Sequence, residues 1–217
     1  MAQSLKLPAT ARERGKIAPA YIAHLVFKTP QLDRMVDWWC TVLEAEPAIR
    51  NDELAFLTFD EEHHRIAIVG TPLLAPRPKA VRGLDHVAFT YGSLGDLLAT
   101  YRRLKSLGIE PVWATNHGPT TSLYYDNPDG NTAELQIENF DSAEAMLEWA
   151  STKDFSDNPI GVDFDPEALL ARFEAGESEA ELKRRRVIGK RSVASIPTAV
   201  IGRLHKFLAT LAALTGK

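Results

Sequence analysis

Two histidines stand at matching places in the chain. His24 lies in YIAHLVF (21–27) and His86 in GLDHVAF (83–89), 62 residues apart, and Leu25 and Phe27 are answered by Val87 and Phe89. Glu134 sits between Ala133 and Leu135 in the β-rich run NTAELQIE (131–138). A carboxylate buried in such a strand is costly unless it is paired or coordinated. All three side chains are expected in strands, and two neutral imidazoles with one carboxylate form the ligand set that suits non-haem Fe(II). The plain alternative is that each is a satisfied or partly exposed polar group, so residue types alone leave a metal site as one of two readings.

Further polar groups surround this set in the sequence. Asn127-Pro128-Asp129-Gly130 is a turn signal, with Pro128 suited to i+1 of a type I turn and Gly130 to the left-handed position of a bulge. With that bulge Asn127 faces Asn131, and Tyr124 is expected directly opposite Glu134, its phenol beside the metal. Tyr125 reads as an ordinary strand aromatic. His64 precedes Ile66 and Ile68 by two and four residues, so it is expected on their strand face, pointing into the same cavity. His63 faces the other way or belongs to the turn. His117, seven residues before Tyr124 in NHGPTT, is either a mobile proton donor or an exposed loop histidine. His205 receives no functional role. Neither does Cys40, which is expected to fill the core beside Trp38 and Trp39.

The shift of 62 continues into the elements that must position these groups. Leu32, Met35, Val36, Trp39 and Val42 are matched by Leu94, Leu97, Leu98, Tyr101 and Leu104. Each set runs i, i+3, i+4, i+7, i+10, the buried stripe of an amphipathic helix. Thr29-Pro30 and Ser93 mark expected helix starts, and Gly108 the end of the second helix. Strands are predicted over 55–60 and 64–70 in the first half and over 110–115, 121–126 and 131–138 in the second. At a shift of 66, LTFD (57–60) overlays LYYD (123–126) and Ile68 overlays Glu134, so the first half lacks a matching carboxylate.

The pattern predicts an α+β fold of tandem βαβββ modules. An N-terminal extension (1–20) precedes a domain at 21–140, whose modules span 21–70 and 84–140, joined by the proline-containing linker 71–83. A helical C-terminal extension follows over 141–217. Within it, helices are predicted at 141–151, 166–176 and 197–214, a loop at 157–167 and a basic linker from KRRR (183–186). The apolar stripe of the last helix is expected to pack on the domain or on a second subunit rather than on a membrane surface.

Of 217 residues 45% are apolar, enough for a real core, which excludes disorder throughout. Lys and Arg number 25 against 29 Asp and Glu, and the net charge of −4 argues against a general nucleic-acid binder. The single cysteine excludes an internal disulfide framework or a Cys-rich zinc site and points to a reducing compartment. No apolar run reaches the roughly 18 residues of a membrane span. The first residues lack the apolar stretch of a secretory signal. A cytoplasmic globular protein is expected, with neither membrane nor nucleic acid as partner.

At these residues the chain resembles the vicinal oxygen chelate superfamily (the glyoxalase/bleomycin resistance/dioxygenase fold). Within it, the chain is similar to small one-unit type I extradiol ring-cleaving dioxygenases. The matching stretches are AHLVF with His24, LDHVAF with His86, and HGPTTSLYYDNPDGNTAEL with Glu134. The family pattern there runs His-Gly, Ser/Thr-hydrophobic-Tyr, Asp-Pro-Asp/Ser-Gly-Asn, then a Glu ten residues after the Tyr. Tyr124 and Glu134 keep that spacing, whereas Asn127 replaces the acidic residue before Pro128. HRIAIV with His64 resembles the family strand that carries a histidine near the oxygen site. The tail NPIGVDFDPEALLARFEAG (158–176) is similar to that of small bacterial and fungal relatives.

The resemblance implies a curved mixed sheet around a metal site in which His24, His86 and Glu134 hold Fe(II), with Mn(II) as the alternative. A small aromatic diol would chelate through two oxygens and react with O2. Tyr124 would bond the substrate oxygen near Glu134, His64 would act as acid/base beside the oxygen site, and His117 would bond substrate or aid proton transfer. Trp113, Phe59 and Ile160 would shape the pocket, and a homodimer is implied. Isomerases, epimerases and thiol transferases of the superfamily remain a competing reading, as does a small-ligand-binding protein without turnover. Ile68, in the place of a fourth ligand, argues against the isomerases, and the intact ligand set against the binding protein.

Overall fold

The computed structural model describes residues 18–76, 78, 82–201 and 210. The first repeat forms β1 (Leu25–Thr29), α1 (Leu32–Leu43), β2 (Glu46–Arg50), β3 (Leu54–Thr58) and β4 (Ile66–Gly70). The second forms β5 (His86–Thr90), α2 (Leu94–Ser106), β6 (Trp113–Asn116), β7 (Thr120–Asp126) and β8 (Thr132–Glu138). The extension adds α3 (Ala143–Ala150), α4 (Lys153–Asp157), β9 (Val162–Asp163), α5 (Pro166–Glu174), α6 (Glu179–Lys183) and, after a 3-10 turn, α7 (Thr198–Ile201). Of the helix expected at 197–214, only its start and Thr210 are described, and His205 lies outside the described residues.

The α+β class and the βαβββ order are as the sequence predicts. The strands divide between two mixed sheets, β1-β4-β3-β2 and β5-β8-β7-β6-β9, rather than one. β1 runs parallel to β4 and β5 to β8, and the remaining pairs are antiparallel. β1 and β5 therefore each form one edge of a sheet.

Each helix buries the stripe its spacing predicts: Met35, Val36, Trp39 and Val42 on α1, and Leu94, Leu97, Leu98, Tyr101 and Leu104 on α2. Ser93 caps α2 by accepting from the Asp96 amide. α1 instead starts after Gln31, whose amide is bonded by the Thr29 hydroxyl. Both stripes join Leu57, Ile66 and Ile68 of the first sheet and Leu123, Tyr125, Leu135 and Ile137 of the second in one continuous core. The modules are also tied by Arg103, whose guanidinium donates to the Thr41 and Val42 carbonyls at 2.6 and 3.3 Å.

Alternation along the strands leaves each sheet a second face turned away from the helices. On the first sheet it carries Val26, Ala67 and Phe56, which are register partners in turn. On the second it carries Ala88, Glu134, Tyr124 and Trp113. The pairing corrects the overlay at a shift of 66. Val26 and Ala88 are equivalent, so the counterpart of Glu134 is their register partner Ala67, not Ile68. Similarly Phe56, not Thr58, answers Tyr124. The slip arises before the central strands, because Ala88 to Tyr124 spans 36 residues and Val26 to Phe56 only 30, and the longer 59–65 connection gives back just one of the six. Ala67 carries no carboxylate, so the first module has no counterpart of Glu134 at this place.

In the extension, the expected loop at 157–167 contains β9, which lengthens the second sheet by pairing Asp163 with Thr115 and Val162 with Asn116. The expected basic linker is not uniformly solvated, since Arg185 is buried.

Candidate active site

The Asn127–Gly130 turn sets the register at the centre of the site. The Gly130 amide donates to the Asn127 carbonyl at 2.8 Å, and Gly130 adopts φ +76°, which a glycine takes without strain. The Asn127 amide donates to the Asn131 carbonyl at 2.9 Å, and Tyr124 faces Glu134 across β7 and β8 as the turn predicts.

His86 opens β5 on the same face. Its Nδ1–H donates to Asp85 Oδ2 at 2.8 Å, and its Nε2 lies 3.0 Å from Glu134 Oε2. The bond to Glu134, helped by Asp85, pushes the imidazole up to about 9, so near neutral pH it is an imidazolium between two carboxylates. Glu134 is only 4% exposed. Burial acts to raise its carboxyl, but hydrogen bonds from His86 and Ser122 outweigh this and hold it below the ordinary range.

Tyr124 continues the line. Its ring stacks on Trp113 at 5.0 Å and meets His86 edge-on at 5.4 Å. Its hydroxyl donates to His117 Nε2 at 2.8 Å. Burial and the Glu134 charge raise the phenol well above its usual range, so it stays protonated. His117 lies in the β6–β7 connection, its Nδ1–H bonded to the Ile160 carbonyl of the extension. Burial pushes this imidazole down, favouring the neutral ring. A carbonyl can only accept, so Nδ1 carries the proton and Nε2 presents its lone pair to Tyr124.

His24 and His64 meet on the first sheet, with ring centroids 4.5 Å apart. His24 is exposed and stands one residue before β1 rather than within a strand. His64 precedes β4 in a loop and stacks on Phe56 at 4.5 Å. It therefore lies over the Phe56/Ala67 face, not the expected Ile66/Ile68 face, which packs on the helix core. Burial and the neighbouring His63 push the His64 imidazole down. Phe59 turns toward Phe89 on the core side at 5.8 Å, away from the pocket it was expected to shape.

The structure thus gathers His86, Glu134, Tyr124 and His117 in one line, and His24 with His64 in a second group. Two cis ligands about 2.1 Å from an octahedral cation lie about 3 Å apart, so the His86–Glu134 pair fits a divalent ion in place of the shared proton. Asp85 on Nδ1 holds the His86 ring, as an outer carboxylate would hold a histidine whose Nε2 met a metal. Among the described residues no three of His, Cys, Asp and Glu are gathered as a complete ligand set. Sequence reasoning missed Asp85, Ser122 and Arg185. Asp85 was visible as the acid immediately before His86, whereas nothing distinguished Arg185 from its basic neighbours.

A family model described as Glyoxalase/Bleomycin resistance protein/Dioxygenase superfamily matches residues 21–135. Biphenyl-2,3-diol 1,2-dioxygenase 2 of Rhodococcus globerulus is 46% identical over 155 residues, 71% of this chain and 82% of that protein. Biphenyl-2,3-diol 1,2-dioxygenase 3 of the same organism is 45% identical over 166 residues, 76% of this chain and 87% of that protein. A glyoxylase/bleomycin resistance protein/dioxygenase domain from Frankia sp. EAN1pec aligns with a TM-score of 0.48 at 17% identity, covering 56% of this chain and 93% of that one. By the family match over more than half its length and by its identity to these relatives, the chain belongs to the glyoxalase/bleomycin resistance protein/dioxygenase superfamily.

Proposed function

We infer that the chain is an extradiol ring-cleaving dioxygenase, an oxidoreductase that opens a catechol-type aromatic diol with O2. The observation at the site that carries this reading is the unbroken line His86–Glu134–Tyr124–His117, which joins a ligand pair to a proton relay. Two relatives named as biphenyl-2,3-diol 1,2-dioxygenases support it. Ala67 in the place equivalent to Glu134 leaves the first module without a fourth ligand, which disfavours an isomerase.

We propose Fe(II), with Mn(II) as the alternative, held by His86, Glu134 and His24. The support for His24 is its repeat equivalence to His86. Bound iron would supply the electron path between a chelated diol and O2. Trp113 and Phe56 give the two faces aromatic surface suited to a planar ring. With Glu134 engaged as a ligand, the Tyr124 hydroxyl is left to His117 and a substrate oxygen. Nε2 of neutral His117 then accepts a proton relayed through Tyr124. His64 serves as acid/base from the first sheet.

A homodimer in the cytoplasm is also proposed. The unpaired thiol of Cys40 suits a reducing compartment, and sedimentation tests the dimer. Among the described residues no helix is long and apolar enough to cross a membrane.

The test is anaerobic loading with Fe(II), then catechol, 3-methylcatechol and 2,3-dihydroxybiphenyl in air. A yellow ring-opened product is expected from the native protein and none from His86→Ala. Bound iron with no product from any of the three diols would count against the reading.

A further inference from the structure

We propose that Arg185 is a positioning residue for His117, acting through the Asn158–Gly161 turn to fix the tautomer that His117 presents to Tyr124. Its effect on turnover rests on the dioxygenase reading, whereas the proton on Nδ1 follows from the Ile160 carbonyl that faces it.

The Arg185 side chain is 2% exposed, and its guanidinium pairs with Asp154 Oδ2 at 2.9 Å. Nη1 donates to the carbonyls of Asn158 at 2.7 Å and His117 at 3.2 Å, and Nη2 to the carbonyl of Asp154 at 3.0 Å. The group also lies over the Trp149 ring at 4.7 Å. One planar fork thereby joins α4, the 158–161 turn and the loop that carries His117. A lysine cannot span that set.

The turn itself is closed by Asn158, 1% exposed. Its Oδ1 accepts from the Gly161 amide at 2.9 Å and the Ile160 amide at 3.2 Å, and its Nδ2 donates to the Gly161 carbonyl at 2.8 Å. Gly161 holds φ +125°, and a Cβ there would lie 2.7 Å from the Asn116 carbonyl oxygen and 2.9 Å from His117 Cα. The turn is thus pressed against the His117 backbone, and the Ile160 carbonyl has one place to point.

That carbonyl is what keeps the proton on Nδ1. Without it a neutral imidazole is free to take the Nε2–H form, which aims a donor at Tyr124 and removes the relay's acceptor. A residue of the C-terminal extension, 68 positions after His117, would then govern the proton chemistry of the domain.

Long-range 15N–1H correlation spectra of histidine-labelled protein read the tautomer, with His117 assigned by difference from His117→Gln. The native protein is expected to show protonated Nδ1 and bare Nε2. Arg185→Gln is expected to shift or average that pattern and to lower kcat by roughly tenfold, with KM little changed. Arg185→Lys, which keeps charge beside Asp154, should be intermediate. Arg184→Gln, at the exposed neighbouring arginine, should leave both readouts unaltered. A folded Arg185→Gln with unchanged tautomer would overturn the proposal. If that variant does not fold, an unchanged His117 spectrum in Arg185→Lys does the same. If the native protein turns over no diol, the dioxygenase reading fails while the spectra still decide the tautomer.

Discussion

Nε2 of His86 lies 3.0 Å from Oε2 of Glu134, a contact made between the first residue of β5 and the middle of its parallel neighbour β8. That spacing suits two cis ligands of one divalent cation. Replacing Glu134 by Gln is expected to weaken iron retention by at least about 100-fold, beyond the effect typical of outer partners, measured as iron content after desalting. Tyr124→Phe should retain iron normally. Full iron in Glu134→Gln would remove Glu134 from the ligand set.

The relay predicts a different signature. Tyr124→Phe and His64→Gln should each lower kcat by roughly 100-fold, the lower range for a lost acid/base group, while substrate binding changes much less. Steady-state kinetics and diol titration under anaerobic conditions separate the two quantities.

Glu167 accepts from the Tyr101 hydroxyl at 2.6 Å and pairs with Lys105 at 2.8 Å, tying α5 to α2. Lys105 and then Tyr101 hold its carboxyl below the ordinary 4.5. A lowered carboxyl contributes stability that is present above its unfolded value and lost as pH falls through the folded one. The native protein should therefore melt above Glu167→Gln at neutral pH, and the gap should close below about pH 4.5. A gap independent of pH would contradict this role.

Trp39 is buried and meets Phe27 of the first sheet at 5.2 Å and Phe89 of the second at 5.8 Å. Trp39→Ala is expected to reduce stability by about 3–5 kcal/mol, measured by urea unfolding. A much smaller loss would mean the sheets do not share the core through this ring.

Local spacing made the helices, the Asn127–Gly130 turn and the Tyr124–Glu134 pairing legible in the sequence, because each is fixed within a few residues of chain. Register in the first module was not, since the stretch from Val26 to Phe56 is six residues shorter than that from Ala88 to Tyr124. With one residue more from Phe56 to Ala67 than from Tyr124 to Glu134, this makes Ala67 rather than Ile68 the equivalent of Glu134. β2 escaped notice because all five residues of EPAIR are exposed and carry no apolar alternation. The inward turn of Arg185 was hidden in a charge run. Which member of KRRR is buried depends on carbonyls contributed by three distant segments, and no periodicity encodes that.

Isotopic oxygen tests the central claim most directly. The Fe(II)-loaded protein would be given 2,3-dihydroxybiphenyl under 18O2, with the product quenched rapidly and weighed by mass spectrometry. Ring cleavage by a dioxygenase predicts a ring-opened product carrying both atoms of one O2, formed with one O2 consumed per diol. A product carrying one labelled atom or none, or O2 uptake without ring opening, would contradict it.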